Sequence, residues 1–138
     1  MGTRSTIKFY EGNKPLLSIY TQYDGYISGV GHDLANFLKG IKVVNGYGSK
    51  DTIFNAANGM GCLAAQYLAK FKDKIGNVYI TTPDDEQEYN YEVRLIKTSE
   101  QGEFIETFKI VIKELETGFE GTPDELHNFK EKANKLKY

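Results

Sequence analysis

Alternation of apolar and polar positions begins almost at once. In "RSTIKFY", residues 4–10, Ile7 and Phe9 fall on one side of an extended chain, and Thr6, Lys8 and Tyr10 on the other, the period-two signature of a strand. "PLLSIYTQ", residues 15–22, reads the same way, and the intervening "EGNK" carries the Gly-Asn pair that predicts a hairpin. The period then changes. Val30, Leu34, Phe37 and Leu38 stand at i, i+4, i+7 and i+8, one apolar stripe of a short helix over 29–38, with Gly40 placed to end it. "IKVVNGYGSKDTIFNAANG" breaks both periods. It reads as an irregular surface excursion with room for an edge strand at 41–44 and another short piece at 52–54.

The clearest helical stripe is Met60, Leu63, Ala64, Tyr67, Leu68 and Phe71, over about 60–72. Three strand candidates follow in series, "NVYITT", "YNYEVRLI" and "FIETFKIVIKEL", with turns at Pro83-Asp84-Asp85 and Ser99-Glu100-Gln101-Gly102 between them. In the last strand Phe108, Ile110 and Ile112 point one way, and Lys109, Val111 and Lys113 the other. "TPDEL" opens a third helix. Thr122 is its N-cap, Pro123 its first residue, Glu125 closes a capping box, and Leu126, Phe129, Ala133 and Leu136 form its stripe. Short links between the later strands predict antiparallel neighbours, because parallel ones need crossovers of roughly a dozen residues or more. The fold class expected is therefore α+β: a roughly five-stranded, mainly antiparallel sheet with about three helices packed mainly on one face. No repeat or low-complexity linker divides the 138 residues, so one domain over 1–138 is expected.

Composition narrows the class of function. Hydrophobic residues make up 40% and charged residues 26%, the balance of a soluble globular chain. A net charge of −2 offers no basic face for long nucleic acid. No run approaches the roughly 20 apolar residues of a membrane span. Gly2 and Thr6 satisfy a loose N-myristoylation pattern, but the strand pattern of "STIKFY" would hold this end in a sheet. A cytoplasmic protein is the simplest expectation. Cys62 is the only cysteine; it lies within the apolar helical pattern and reads as a packed thiol. Two histidines far apart and that cysteine give no metal-ligand spacing, and no cofactor is expected.

Candidate chemistry gathers in "YTQYDGYISGVGHDL". Tyr20, Tyr23 and Tyr26 offer flat stacking area with polar tips, Gln22 and Asp24 directional polar groups, and Gly29 and Gly31 a helix start at which unshielded amides would meet an anion. Asn58, Gly59 and Gly61 repeat that glycine-containing start before the second helix. Gly59 to Ala64 also satisfies G-x-G-x-x-A, with Asp84 20 residues beyond Ala64, but a dinucleotide fingerprint needs a firm strand before it and a βαβ unit around it. Arg4 and Arg94 are the only arginines against 15 lysines, and a guanidinium on a sheet can grip phosphate or carboxylate at two points; the structural alternative is an ion pair with a strand glutamate such as Glu92 or Glu106. His32, oriented by Asp24, is a weak candidate general base with no accompanying nucleophile.

The segments "GTRSTIKFY", "YTQYDGYISGVG" and "GCLAAQYLAKF" together resemble a family of small uncharacterised proteins of phage and bacterial genomes, over about residues 2–72. Members tend to run Tyr-Pro after the Asp-Gly, where this chain has Tyr26-Ile27, and Lys plus an acidic residue after G-V-G, where it has His32-Asp33. The resemblance implies no chemistry. Its phage association implies a class of role, countering bacterial defence by sequestering nucleotide immune signals. The expectation is thus a non-enzymatic binder of a small anionic ligand, a nucleotide or cyclic-nucleotide signal. It would use Arg4 or Arg94 and the tyrosines, in a homo-oligomer that supplies concavity. The alternatives are a small hydrolase using His32 and Asp24, and a module that binds and blocks a host protein.

Overall fold

The computed structural model describes residues 2–45, 55–98 and 106–130. The first hairpin forms as the pattern requires. β1 (Ser5–Glu11) and β2 (Lys14–Thr21) pair antiparallel with Glu11 opposite Lys14. The two-residue turn between them opens on Gly12 at φ +65°, the left-handed value that a tight hairpin turn demands of its first residue. The chain then leaves the sheet through a π-helical turn (Ile27–Gly31) into α1 (His32–Lys39), which Gly40 terminates. β3 (Lys42–Asn45), β4 (Ala56–Asn58), α2 (Gly59–Phe71), β5 (Val78–Ile80), β6 (Tyr89–Lys97), β7 (Glu106–Glu114), β8 (Phe119–Gly121) and α3 (Pro123–Asn128) follow.

The class is α+β with three helices among the described residues, but the sheet is larger and more mixed than five antiparallel strands. Its order is β4-β3-β7-β6-β1-β2-β5, with β8 paired to β7 beside the stretch that β3 leaves open. β1 runs parallel to β6, and β3 parallel to β4. Short links predicted antiparallel neighbours, and that holds for β6 and β7. It fails for β5 and β6, which are consecutive yet not adjacent: β5 pairs with β2 at the edge, and residues 81–88 cross to β6 on the far side of β1. β4 and β8, three residues each, are too short to carry a period. The expected piece at 52–54, the turn at 99–102 and the stripe positions Ala133 and Leu136 lie outside the described residues.

The core lies between the helices and one face of the sheet. Ile7, Phe9, Ile19, Val93 and Ile112 from the strands are buried against Leu34, Leu38, Leu63, Tyr67 and Leu126 from the helices. Full burial of each such side chain contributes about 1.5–3 kcal/mol. Tyr67 sits among Phe9, Phe37 and Phe71 at ring separations of 4.4–5.6 Å, and burial pushes its phenol pKa far up, with the Asp33 charge a lesser cause. Cys62 is only half-buried, at the margin of this cluster. Thr122 caps α3 in the reciprocal arrangement with Glu125 that the sequence predicts.

Thr6 and Lys8, on the opposite side of β1 from Ile7 and Phe9, are buried as well. The 81–88 crossover meets Lys8, whose Nζ donates to the Asp85 carbonyl at 2.8 Å, and neighbouring β6 meets Thr6, whose Oγ1 donates to Asn90 Oδ1 at 2.8 Å. A chain crossing the open face of the sheet thus satisfies a polar group that would otherwise be stranded, and it leaves a cleft along its flank.

Candidate functional site

The tyrosine-glycine segment closes on itself. Asp24 takes φ +57°, and its carbonyl accepts from the Val30 amide at 2.7 Å. The Gly29 and Gly31 amides both donate to the Tyr26 carbonyl, at 2.9 and 3.3 Å. The expected anion site at this helix start is thereby corrected: a π-helical turn occupies the place where free amides were expected, and the Gly29, Val30 and Gly31 amides are already bonded. The glycines serve packing instead. A Cβ on Gly29 would collide with the Asp24 carbonyl, and one on Gly31 would stand 3.0 Å from the Tyr91 hydroxyl. That hydroxyl, on the fully buried Tyr91, donates to the Gly25 carbonyl at 2.7 Å and ties the segment to β6.

The three tyrosines do not converge. Tyr26 is exposed and donates to Asp24 Oδ1 at 2.9 Å; this bond and the carboxylate charge raise its pKa. Tyr23 is exposed beside Gly2. Gln22 is structural, its Oε1 accepting the Asn77 amide at 2.8 Å. His32 makes no ion pair with Asp24 among the described residues. Its ring lies 5.5 Å from that of His127, between α1 and α3, with Nε2 buried. A proton-relay pair of His32 and Asp24 is therefore not assembled. Asn58, Gly59 and Gly61 open α2 as expected, Gly59 at φ +84°. The strand after α2 joins the opposite end of the sheet from β4, so no βαβ unit surrounds the glycines.

The two arginines take different roles. Arg94 is engaged: its guanidinium stacks 3.8 Å from the Tyr10 ring centroid, pairs with Glu92 at 3.1 Å and donates to the Gly12 carbonyl at 3.3 Å. This is the ion-pair alternative weighed for it, with Glu92 on its own strand. Arg4 is exposed, and its guanidinium makes no ion pair among the described residues; only its backbone amide is held, by Glu88 Oε1 at 2.9 Å.

Arg4 and Tyr20 meet in a cleft of about 330 Å³ lined also by Tyr79, Ile80, Thr81, Asp85 and Gln87. Tyr20 and Tyr79 are register partners on β2 and β5, with ring centroids 5.9 Å apart and planes tilted by 42°. The crossover supplies the far wall. Asp85 Oδ2 accepts from Thr81 Oγ1 and Oδ1 from Gln87 Nε2, both at 2.7 Å. A second depression of about 390 Å³, between α1, α2 and β4, is larger. Its one ring, Phe37, is half-buried and packs against Tyr67 and Phe71 at the margin of the core. The groove of about 300 Å³ at Arg94 holds a guanidinium that is already paired. The Arg4 cleft sets a guanidinium that has no ion pair among the described residues beside the most exposed ring of the three, Tyr79 being 44% exposed.

Sequence reasoning reached Arg4 and Tyr20 and missed Tyr79, Thr81, Asp85 and Gln87. Asp85 read there only as part of the turn at 83–85. Its role depends on the crossover, for which the local pattern carries no signal. No protein-family model, curated protein or solved structure matches the chain, so the reading of function rests on the cleft. Among the described residues no helix is long and apolar enough to cross a membrane.

Proposed function

We propose that this protein binds a small anionic ligand, a nucleotide or cyclic-nucleotide signal, and holds it without chemical change in the Arg4–Tyr20–Tyr79 cleft. One observation carries the reading: the unpaired guanidinium of Arg4 shares a cleft with two tyrosine rings. Rings of this kind stack on a base without regard to its identity, and a guanidinium matches phosphate geometry at two points. The catalytic alternative has less support, since His32 and Asp24 stand apart from this cleft and from one another as a working pair. The resemblance to phage proteins extends the proposal to a sponge for nucleotide immune signals in a host cytoplasm. The cleft is open, and a second copy packed against the exposed Ile80 at its rim would deepen it; a homo-oligomer is part of the proposal.

Calorimetry against a nucleotide panel tests the reading. Heat is expected with at least one member, and the ligand recovered after denaturation should be unaltered. Tyr79→Ala should weaken binding by about tenfold, the order of one lost base-stacking contact. A folded sample that binds no nucleotide would end the proposal, and a chemically altered ligand would move the protein to the enzymes.

A further inference from the structure

We propose that the occupant of this cleft is a guanine mononucleotide, with its base edge read by the Asp85 carboxylate and its phosphate held by Arg4. The inference rests on the binding reading above and goes beyond it in naming what is bound.

The cleft is bipolar. Arg4 and Asp85 both line it, yet no ion pair joins them among the described residues. A ligand that is anionic throughout would be attracted by one wall and repelled by the other. The cleft instead suits a molecule with a negative group at one end and hydrogen-bond donors at the other.

The state of the Asp85 carboxylate specifies the donor end further. An ionised carboxylate offers about four acceptor positions over its two oxygens. Here one position on each oxygen is taken, by Thr81 Oγ1 on Oδ2 and Gln87 Nε2 on Oδ1, each at 2.7 Å. These two bonds, one to each oxygen, hold the carboxylate in place. They leave each oxygen able to accept one more donor, an arrangement matched by two adjacent N–H groups. Guanine carries such a pair, N1–H and the 2-amino group. Adenine and cytosine each put an acceptor nitrogen beside their amino group, and uracil flanks its one N–H with carbonyl oxygens. Each of these would set an acceptor against a carboxylate oxygen.

Size limits the other end. At about 330 Å³ the cleft lies at the small end of ligand pockets, which run from roughly 300 to 1,000 Å³. That volume matches one base, one sugar and a phosphate. Tyr20 and Tyr79 provide the stacking surface between the two poles.

Calorimetry on the full chain, with GMP, IMP, AMP and XMP as probes, tests the inference without any variant. Affinity should fall in the order GMP, IMP, AMP, with GMP over AMP by about tenfold or more, the scale of a two-point contact to a base edge. IMP isolates the 2-amino group, which it lacks. Asp85→Asn should reverse the preference between GMP and XMP, because its amide NH₂ can donate to the 2-carbonyl of xanthine. Arg4→Gln should reduce GMP affinity to that of guanosine while keeping GMP over AMP. Equal affinity for GMP and AMP, or tighter AMP, overturns the guanine assignment and leaves the binding reading standing. Absence of binding by all four in a folded sample likewise overturns the guanine mononucleotide assignment, and the binding reading falls with it only when the wider nucleotide panel, cyclic nucleotides included, is also silent.

Discussion

Glu114 shows how much a single side chain can organise here. It is completely buried on the core-facing side of β7, and no cation pairs with it among the described residues. Its oxygens accept from the amides of Asn90, Glu116 and Thr117 and from the Thr117 hydroxyl, at 2.6–3.0 Å. Four donors replace the water that a buried carboxylate gives up, and they tie the start of β6 to the turn before β8. Glu114→Gln puts an NH₂ group against these donors and should cost about 2 kcal/mol, seen as a lower urea midpoint with an unchanged slope. Asp33 presents the opposite balance. Partial burial and the nearby Asp24 charge raise its pKa, with His32 opposing. A carboxyl with a raised folded-state pKa binds more protons folded than unfolded, so stability falls as pH rises from its ordinary value of 3.8 through the folded-state value. Asp33→Asn should remove that component, leaving a variant more stable than the parent at pH 7 by a few tenths of a kcal/mol after solvent screening. The gain should vanish near pH 3 in the same denaturation series.

At the scale of elements, the edge strand β5 is the one that most needs protection. It is three residues long and exposes Tyr79 and Ile80. The bonds Gln22 N to Asn77 O and Thr81 N to Ser18 O show that odd-numbered positions face β2, so the main chain of Val78 and Ile80 points outward. Lys72, just past α2, donates to the outward Val78 carbonyl at 2.8 Å and to the Gly76 carbonyl at 3.0 Å, and its ammonium lies 5.1 Å from the Tyr79 ring centroid. A charge placed over an open edge discourages another strand from adding there. Lys72→Leu should therefore increase mass in sedimentation above that of the parent. An unchanged mass would mean that the shortness of β5 is protection enough.

Across the whole molecule, two residues of one type divide between binding and structure. Arg94 is bonded on three sides, whereas Arg4 projects into a cleft without a partner among the described residues. Arg4→Gln should weaken ligand binding and leave the thermal midpoint within about 1 °C, since an exposed unpaired side chain contributes little to folding. Arg94→Gln should do the reverse, lowering stability by roughly 1 kcal/mol through lost stacking and pairing with affinity unchanged. Parallel melting and calorimetry on the two variants separate the roles.

What was legible in the sequence is what local chemistry controls. The hairpin turn at Gly12, the stripe of α2, the stop at Gly40 and the capping box at Thr122 each depend on residues within about a turn of one another, where side-chain period and backbone preference act directly. Tyr20 was visible as a candidate from its local cluster of tyrosines, and Arg4 from the scarcity of arginine in the chain. Which side chains share a cleft was not. Tyr79 reaches Tyr20 only because β5 pairs with β2, and Asp85 enters only because the crossover spans the open face of the sheet. Those pairings join segments some 60 to 80 residues apart, and the short links between strands misled because adjacency in sequence did not become adjacency in the sheet. The sequence by itself determined the longer elements, through periods and caps that act over a few residues. Only the tertiary structure decided the strand order and the cleft, because the pairing of distant main-chain donors and acceptors is set by the packing of the whole core.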